Sequence, residues 1–209
     1  MLQIEARGLG KRFGRDWIFR DLTRTFRPDT AVALLGPNGS GKSTLLQTLA
    51  AYTLPSAGEL LYTLNGQSVR PDDVARHLAL CAPYLELIEE LSLAELVQFH
   101  TRFRPLRAGL SAAGLIERLQ LPHARHKLLR DFSSGMKQRV KLGLALYAQA
   151  PLLLLDEPTT NLDRAGVAWY HEHVAATIAG RLVLVSSNVE EEYRFCPEQL
   201  TVTDFAPRR

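Results

Sequence analysis

The segment from Gly36 to Ser43 reads GPNGSGKS and constrains the fold more than any other part of the chain. It fits the pattern G-x-x-x-x-G-K-[ST] of a phosphate-binding loop. It directly follows the apolar run AVALL and overlaps the start of the helix-favouring segment STLLQTLAAY. In that strand–loop–helix context the glycines let successive backbone N–H groups point at phosphate oxygens. The segment therefore predicts a nucleotide phosphate site between a buried strand and a helix.

The residue types in this loop indicate which part of a bound nucleotide each side chain contacts. Lys42 supplies a positive charge to the outer phosphates, Ser43 offers a hydroxyl to Mg²⁺, and the unpaired N–H groups of the helix start complete the anion site. We expect every residue of the loop to contribute to nucleotide binding: Gly36, Pro37, Asn38, Gly39, Ser40, Gly41, Lys42, Ser43 and Thr44.

A second motif, LLLLDEP, runs from Leu152 to Pro158. A buried apolar strand that ends in Asp156 holds a carboxylate where it can bind Mg²⁺, directly or through water. Glu157 follows and is the candidate general base that orients and deprotonates an attacking water. Together with the phosphate loop, the pair predicts hydrolysis of a nucleoside triphosphate.

Short apolar runs alternate with segments of helical spacing along most of the chain. The runs 31–35, 78–82, 152–155 and 182–185 predict buried strands, so the pattern indicates an α/β core with a mainly parallel sheet. The region from Leu85 to Ala150 has only helical patterns, including a capping box formed by Ser92 and Glu95. We predict one domain over residues 1–209, with 1–84 and 150–209 as the α/β core and about 85–149 as a helical subdomain.

Composition sets wider bounds on the class of protein. A chain of 209 residues with 46% hydrophobic residues can bury the core of one globular domain. The net charge of +3 is small and the basic residues are dispersed, so no nucleic-acid partner is expected. Cys81 and Cys196 have no partner at metal-ligand spacing, which fits reduced cytosolic thiols. We find neither a signal peptide nor a run of about 20 apolar residues, so any membrane role is expected to be peripheral.

The motifs GPNGSGKSTLL, FSSGMKQR and LLLLDEPTTNLD, in this order and around a helical insertion, resemble those of the ATP-binding cassette (ABC) ATPases. The resemblance covers nearly the whole chain and is specific to the nucleotide-binding subunits of ABC transporters. It implies a P-loop NTPase fold of ABC type with a small N-terminal antiparallel β part. It also implies ATP and Mg²⁺ as ligands, a head-to-tail dimer with an identical or different second cassette, and a separate integral membrane transporter subunit.

The signature sequence of that family, LSGGQ, is altered here to Phe132–Met136. Ser133 and the second glycine, Gly135, are kept; Ser134 replaces the first glycine, and Met136 replaces the glutamine. The resemblance implies that Ser133, Ser134 and Gly135 approach the ATP of the partner cassette. It assigns Asn161, Leu162 and Asp163 to the D-loop, with Asp163 near the same nucleotide.

Three further positions are assigned by the resemblance. Tyr84 stands where the family has a glutamine that senses Mg²⁺ and the membrane subunit, and its hydroxyl is not a simple substitute. The switch histidine is replaced by Asn188 in the alignment that we prefer and by Ser187 in the next best. A neutral amide in that place predicts turnover slowed by roughly 10²-fold. Phe13 in the first hairpin is the candidate for stacking on adenine, and Trp17 is the other candidate.

Three functions follow from these residues. The first is the ATPase subunit of an ABC transporter, cytoplasmic and peripheral on the inner face of the cell membrane. Within this class, the short chain resembles the compact cassettes of the haem-exporter type. The second is a soluble ABC ATPase that acts on ribosomes, DNA or iron–sulfur assembly. The third is a regulator that dimerises on ATP and hydrolyses it slowly or not at all.

Overall fold

A computed structural model describes residues 1–207 of the chain. The strands are β1 (Leu2–Phe13), β2 (Asp16–Phe26), β3 (Ala31–Leu35), β4 (Ala57–Leu64), β5 (Gln67–Val69), β6 (Leu78–Cys81), β7 (Leu152–Asp156), β8 (Leu182–Ser186) and β9 (Glu198–Thr201). The helices are α1 (Lys42–Leu49), α2 (Pro71–Val74), α3 (Leu93–Phe103), α4 (Ala112–Arg118), α5 (Ser134–Tyr147), α6 (Arg164–Thr177) and α7 (Glu190–Tyr193). Short 3₁₀ turns lie at Ala75–His77, Pro122–Ala124, Leu129–Asp131 and Val202–Phe205.

A five-stranded sheet in the order β6-β7-β8-β3-β9 forms the centre of the α/β core. The pairs β7–β8, β3–β8 and β3–β9 are parallel. Every residue of β7 and β8 is buried, as expected for parallel strands covered on both faces. The apolar runs therefore form strands close to their predicted bounds, and the predicted parallel sheet is confirmed.

A second sheet, in the order β2-β1-β4-β5, is antiparallel. On β1 the residues Leu2, Ile4 and Ala6 are fully buried and alternate with partly exposed ones, which is the period of a strand with one face on a core. These side chains join the hydrophobic cluster that includes Val32 and Leu34 of β3. The sheet is the N-terminal antiparallel part that the family resemblance implies.

The chain groups into two compact units. The first comprises Met1–Leu80, Ala150–Glu157 and the described residues from Ile178 onward; the second comprises Cys81–Gln149 and Pro158–Thr177. We call them the core unit and the helical unit. The predicted subdomain boundaries at about 85 and 149 stay a prediction, since the helical unit also takes in residues 158–177.

In the helical unit, buried aromatic and polar side chains join α4, α5 and α6. The hydroxyl of Tyr147 on α5 is hydrogen-bonded to Nδ1 of His173 on α6. The Trp169 ring lies 4.5 Å from the His173 ring, and its Nε1 donates to the carbonyl of Arg118 at 2.8 Å. Burial lowers the pKa of His173, so the ring is neutral near pH 7.

None of the helices within residues 1–207 is both long enough and apolar enough to span a lipid bilayer.

The capping box predicted at the start of α3 is present. Ser92 Oγ accepts from the Glu95 N–H at 3.3 Å, and Glu95 Oε2 accepts from the Ser92 N–H at 2.8 Å and from its hydroxyl at 2.7 Å. These bonds satisfy donors that a helix N-terminus otherwise leaves unpaired. The hydroxyl and backbone hydrogen bonds from Ser92 lower the pKa of Glu95.

We predict that Ser92→Ala lowers the free energy of unfolding by about 1 kcal/mol at pH 7, because the cap of α3 is lost. Since the pKa of Glu95 is lowered in the folded state, its contribution is present above the unfolded carboxyl pKa and is lost as the pH falls through the folded value. The deficit of Ser92→Ala should therefore shrink at about pH 3. Urea unfolding followed by circular dichroism measures the loss of unfolding free energy at each pH.

Ser111→Ala is the matched control. Ser111 caps α4 by accepting from the Gly114 N–H at 3.1 Å, and the residue three positions on is a glycine without a carboxylate. Its deficit should be similar at the two pH values. An equal pH response in both variants would contradict the part assigned to Glu95.

Candidate active site

Three chain segments of the core unit meet at the carboxyl edge of the parallel sheet. In the register of β8, Ser186 is paired with Asp156 on one side and with Leu34 on the other. The phosphate loop leaves β3 at this edge, Glu157 follows Asp156, and Ser187 and Asn188 follow β8. Ligands of open α/β sheets bind at the carboxyl ends of strands, so these segments form the candidate active site.

The phosphate loop surrounds the side chain of Lys42, which is only 6% exposed. Its Nζ donates to the carbonyl oxygens of Gly36 at 2.8 Å and Pro37 at 3.2 Å. The N-terminus of α1 has no side-chain cap and no acidic residue in its first turn. The N–H groups of this helix start are therefore available to an anion, and the ammonium group can bind one by exchanging its two carbonyl acceptors.

Gly41 is a position where the loop requires glycine. Its φ is 94°, and a Cβ placed on it would lie 2.2 Å from Cγ2 of Ile18 on β2. Gly39 has a similar φ of 80°, but a Cβ there would meet no atom within 4 Å. The loop is thus shaped by backbone conformation at both positions and by close packing against the antiparallel sheet at Gly41.

Asp156 and Glu157 differ in their surroundings. Asp156 is 2% exposed, and its Oδ1 has no hydrogen-bond partner among the described residues. A buried, unpaired carboxylate oxygen fits a cation, and within residues 1–207 no group of three or more His, Cys, Asp or Glu side chains could hold one. A single carboxylate suits Mg²⁺, which takes its other ligands from phosphates and water.

Glu157 adopts a left-handed backbone conformation with φ of 44°, and its N–H donates to the carbonyl of Ser186 at 2.9 Å. Such a conformation is strained for a residue with a Cβ and is found in functional sites. The hydrogen bond to β8 fixes the direction in which its half-buried side chain leaves the sheet.

The segment after β8 distinguishes the two candidates for the switch position. Ser187 is fully buried, and its Oγ accepts from the Val189 N–H at 2.8 Å, so it caps its own turn. Asn188 is exposed, and its Nδ2 donates to Oδ1 of Asn38 in the phosphate loop at 2.6 Å. Only Asn188 presents its side chain to the loop, which favours the alignment that places the switch residue there.

The two aromatic candidates of the first hairpin also differ. Phe13 ends β1 with its side chain 54% exposed and the Lys11 ammonium 5.2 Å from the ring centroid. The ring of Trp17 is contacted by the guanidinium groups of Arg12 at 5.6 Å and Arg20 at 5.1 Å. Phe13 is the more accessible ring, which supports it as the residue that stacks on a base.

In the helical unit the altered signature begins α5. Ser133 is the N-cap, with Oγ accepting from the Met136 N–H at 3.2 Å, and its neighbour Ser134 is exposed. A Cβ on Gly135 would lie 2.9 Å from the carbonyl oxygen of Asn161. The backbone of the D-loop thus requires a glycine at Gly135, whereas the serine at position 134 points away without a clash.

A groove of about 430 Å³ lies along this face. It is lined by residues of the signature and the D-loop, together with His123 of the 3₁₀ turn Pro122–Ala124 and Arg139 of α5. Asp163, predicted to lie near a nucleotide, accepts from the Gly166 N–H at 2.7 Å and so caps the start of α6. Gln138 is 1% exposed and donates to the carbonyl of Pro158 at 2.7 Å. The bond from Gln138 to Pro158 fixes the signature helix to the segment that leads into the D-loop.

Tyr84 belongs to the helical unit and is 46% exposed. It lies in the loop that follows β6. A phenol ordinarily ionises near pH 10, so at neutral pH its hydroxyl is a weak candidate as a metal ligand. Its predicted role at Mg²⁺ stays a prediction.

A sequence profile of the ABC transporter family matches residues 19–160, which is more than half of the chain. The chain belongs to this family. The zinc import ATP-binding protein ZnuC of Cereibacter sphaeroides is 34% identical over 195 residues, covering 90% of this chain and 74% of that protein. The cytochrome c biogenesis ATP-binding export protein CcmA of Rhodospirillum rubrum is 37% identical over 188 residues, covering 84% of this chain and 75% of that protein.

Solved structures of ABC cassettes share the fold. An ATP-binding cassette solved as a dimer in a post-hydrolysis state, with ADP and Pi, superposes with a TM-score of 0.81 at 20% identity. The match covers 99% of this chain and 97% of that one. The predicted ABC-type P-loop fold is confirmed, and the chain is an ABC ATPase.

Sequence reasoning missed three of these contacts. The bond between Asn188 and Asn38 joins residues 150 positions apart, and no spacing rule signals it. The packing of Ile18 against Gly41 is likewise long-range. Gln138 stands between Lys137 and Arg139 in α5, so the local sequence does not mark it as a buried donor to Pro158.

We predict that Gly41→Ala weakens ATP binding more than tenfold, because it adds a steric clash with Ile18 to an unfavourable φ. Gly39→Ala is the matched control, since it brings the same conformational strain without a neighbouring atom, and its loss should be smaller. Fluorescence titration with trinitrophenyl-ATP measures both. Equal losses would show that packing against Ile18 does not shape the loop.

Proposed function

We propose that this chain is the ATP-hydrolysing subunit of an ABC transporter, and that two cassettes enclose two ATP molecules to drive a separate membrane subunit. The observation that carries the proposal is the sheet edge of the core unit. There, the loop around Lys42 follows β3, and the unpaired Oδ1 of Asp156 and the strained Glu157 lie at the end of β7, the two parallel strands on either side of β8. These are the groups that phosphoryl transfer to water requires.

In the proposed reaction, water attacks the γ-phosphorus, the bond from the γ-phosphorus to the β,γ-bridging oxygen breaks, and ADP and phosphate leave. The Glu157 carboxylate accepts the proton of the attacking water. Lys42 exchanges its two carbonyl acceptors in the loop for phosphate oxygens and offsets their charge. Asp156 and Ser43 would hold Mg²⁺, which would supply positive charge to offset that of the outer phosphates.

The helical unit supports the dimer. The exposed Ser133 and Ser134 begin a helix of 14 residues, whose N–H groups and dipole favour an anion. Within its own unit this helix start adjoins the D-loop, and the groove along it is open to a ligand from outside. We propose that the γ-phosphate of the partner cassette's ATP binds here, and the dimeric cassette of the same fold supports this arrangement.

A membrane partner is supported by the relatives, two of which are named for import of zinc and for export in cytochrome c biogenesis. We propose that the chain acts at the inner face of the cell membrane through that subunit. Affinity purification from solubilised membranes should recover a multi-span protein in defined stoichiometry. Recovery of the chain from membranes with no integral protein would count against the transport role.

A second candidate is a regulator that binds ATP and barely hydrolyses it. The observation in its favour is the neutral Asn188 at the switch position, since an amide can donate a hydrogen bond but cannot carry charge. The two candidates differ in turnover and share the ATP site.

Steady-state phosphate release separates them. We expect the wild-type chain to release phosphate at least tenfold faster than Glu157→Gln, because the variant lacks the proton acceptor, while both bind ATP. Lys42→Ala should lose binding and turnover together. If wild type and Glu157→Gln are equally slow, with and without the membrane subunit, the regulator function is correct.

Dimer formation has its own test. Glu157→Gln with ATP and Mg²⁺ should sediment as a dimer, because bound ATP persists. Gly135→Ala in the same background should stay monomeric while still binding ATP, since its Cβ would displace the D-loop backbone at Asn161. A dimer of equal stability in both would contradict the assignment of the signature groove.

A further inference from the structure

One hydrogen bond links the phosphate loop to the switch position. Asn188 Nδ2 donates to Asn38 Oδ1 at 2.6 Å, and both side chains are exposed at the mouth of the loop. The contact is a consequence of the sheet, because the parallel pair β3–β8 brings the ends of both strands to the same edge. Asn38 occupies one of the four variable positions of the loop pattern, which the motif itself does not restrict.

The neighbours of this pair are already engaged. Ser187 Oγ caps the turn at Val189, and Lys42 Nζ is bonded to the carbonyls of Gly36 and Pro37. The Asn188 amide is therefore the side chain from the segment after β8 that reaches the phosphate loop.

An asparagine in this position has an orientation problem. Its oxygen and nitrogen have nearly the same shape, but only the nitrogen can donate to a phosphate oxygen, and the oxygen would repel it. An imidazolium ring donates from both nitrogens, so it presents a donor in either orientation. In this structure Asn38 turns its oxygen to the nitrogen of Asn188, and this arrangement leaves the second hydrogen of that nitrogen for a ligand.

We propose that Asn38 is a positioning residue for ATP hydrolysis, whose side-chain oxygen orients the Asn188 amide so that its N–H faces the γ-phosphate. The inference rests on the proposed role of Asn188 at the γ-phosphate. Asn38 acts through Asn188, so its removal lowers kcat only while the amide is present.

A double-mutant cycle on the full chain tests this coupling, with ATP turnover as the readout. We expect Asn188→Ala to lower kcat by roughly 10²-fold, as for loss of one donor to the transition state. Asn38→Ala should lower kcat by roughly tenfold. In the Asn188→Ala background, Asn38→Ala should cause no further loss beyond about twofold.

Asn38→Asp is the conservative variant. It keeps the acceptor oxygen in the same place and adds a negative charge near the phosphates. We expect kcat to fall clearly less than in Asn38→Ala while KM for ATP rises severalfold, which separates positioning from general damage to the loop. Asn38→Ser, which is too short to reach the amide, should behave like Asn38→Ala. Thermal unfolding of each variant checks that the fold is retained.

The outcomes separate the inference from the proposed function. If the losses for Asn38→Ala and Asn188→Ala multiply in the double variant, or if Asn38→Ala changes only KM, Asn38 is not a positioning residue and the inference is overturned. If Asn188→Ala leaves kcat unchanged, the role of Asn188 fails and the inference with it. Hydrolysis that still depends on Glu157 and Lys42 would in that case leave the proposed ATPase function standing.

Discussion

The parallel pairing on both sides of β8 is the constraint on which the candidate site depends. Ser186 is matched with Asp156 of β7 and with Leu34 of β3, so one register places the three functional loops at one sheet edge. A slip by one residue would break the alignment of Asp156, Ser186 and Leu34 at this edge. The strand register thus sets where the candidate catalytic side chains leave the sheet, while the loops supply only the final turn of each chain segment.

Packing against the D-loop explains which part of the altered signature tolerates change. The two positions that are glycines in the family are not equivalent here: a Cβ at Gly135 would approach the Asn161 carbonyl to 2.9 Å, while Ser134 is exposed. A side chain can therefore be added at position 134 but not at Gly135. The N-cap bond of Ser133 and the buried bond from Gln138 to Pro158 are both present, so the helix start keeps its geometry despite the altered sequence.

Local patterns predicted most of the fold and the identity of the phosphate loop. The apolar runs gave strands within one or two residues of their bounds, and the capping box at Ser92 was recognised from two residue types three positions apart. Sequence favoured Asn188 over Ser187 by alignment alone, because neighbouring residues of one loop have the same local pattern. The choice depends on burial of Ser187 and on a partner, Asn38, that the strand pairing brings near.

The hydrogen bond between Asn38 and Asn188 couples a variable position of the phosphate loop to the segment after β8. A charged ring at the switch position would donate in either orientation, and the residue opposite would matter little. A neutral amide has a donating side and an accepting side, and it is exposed here, so solvent alone does not select between them. In the observed pair the Asn38 oxygen accepts one of the two amide hydrogens, and the other hydrogen remains on the donating side. The residue types at positions 38 and 188 therefore have to be interpreted together, because the chemistry available to either depends on the other.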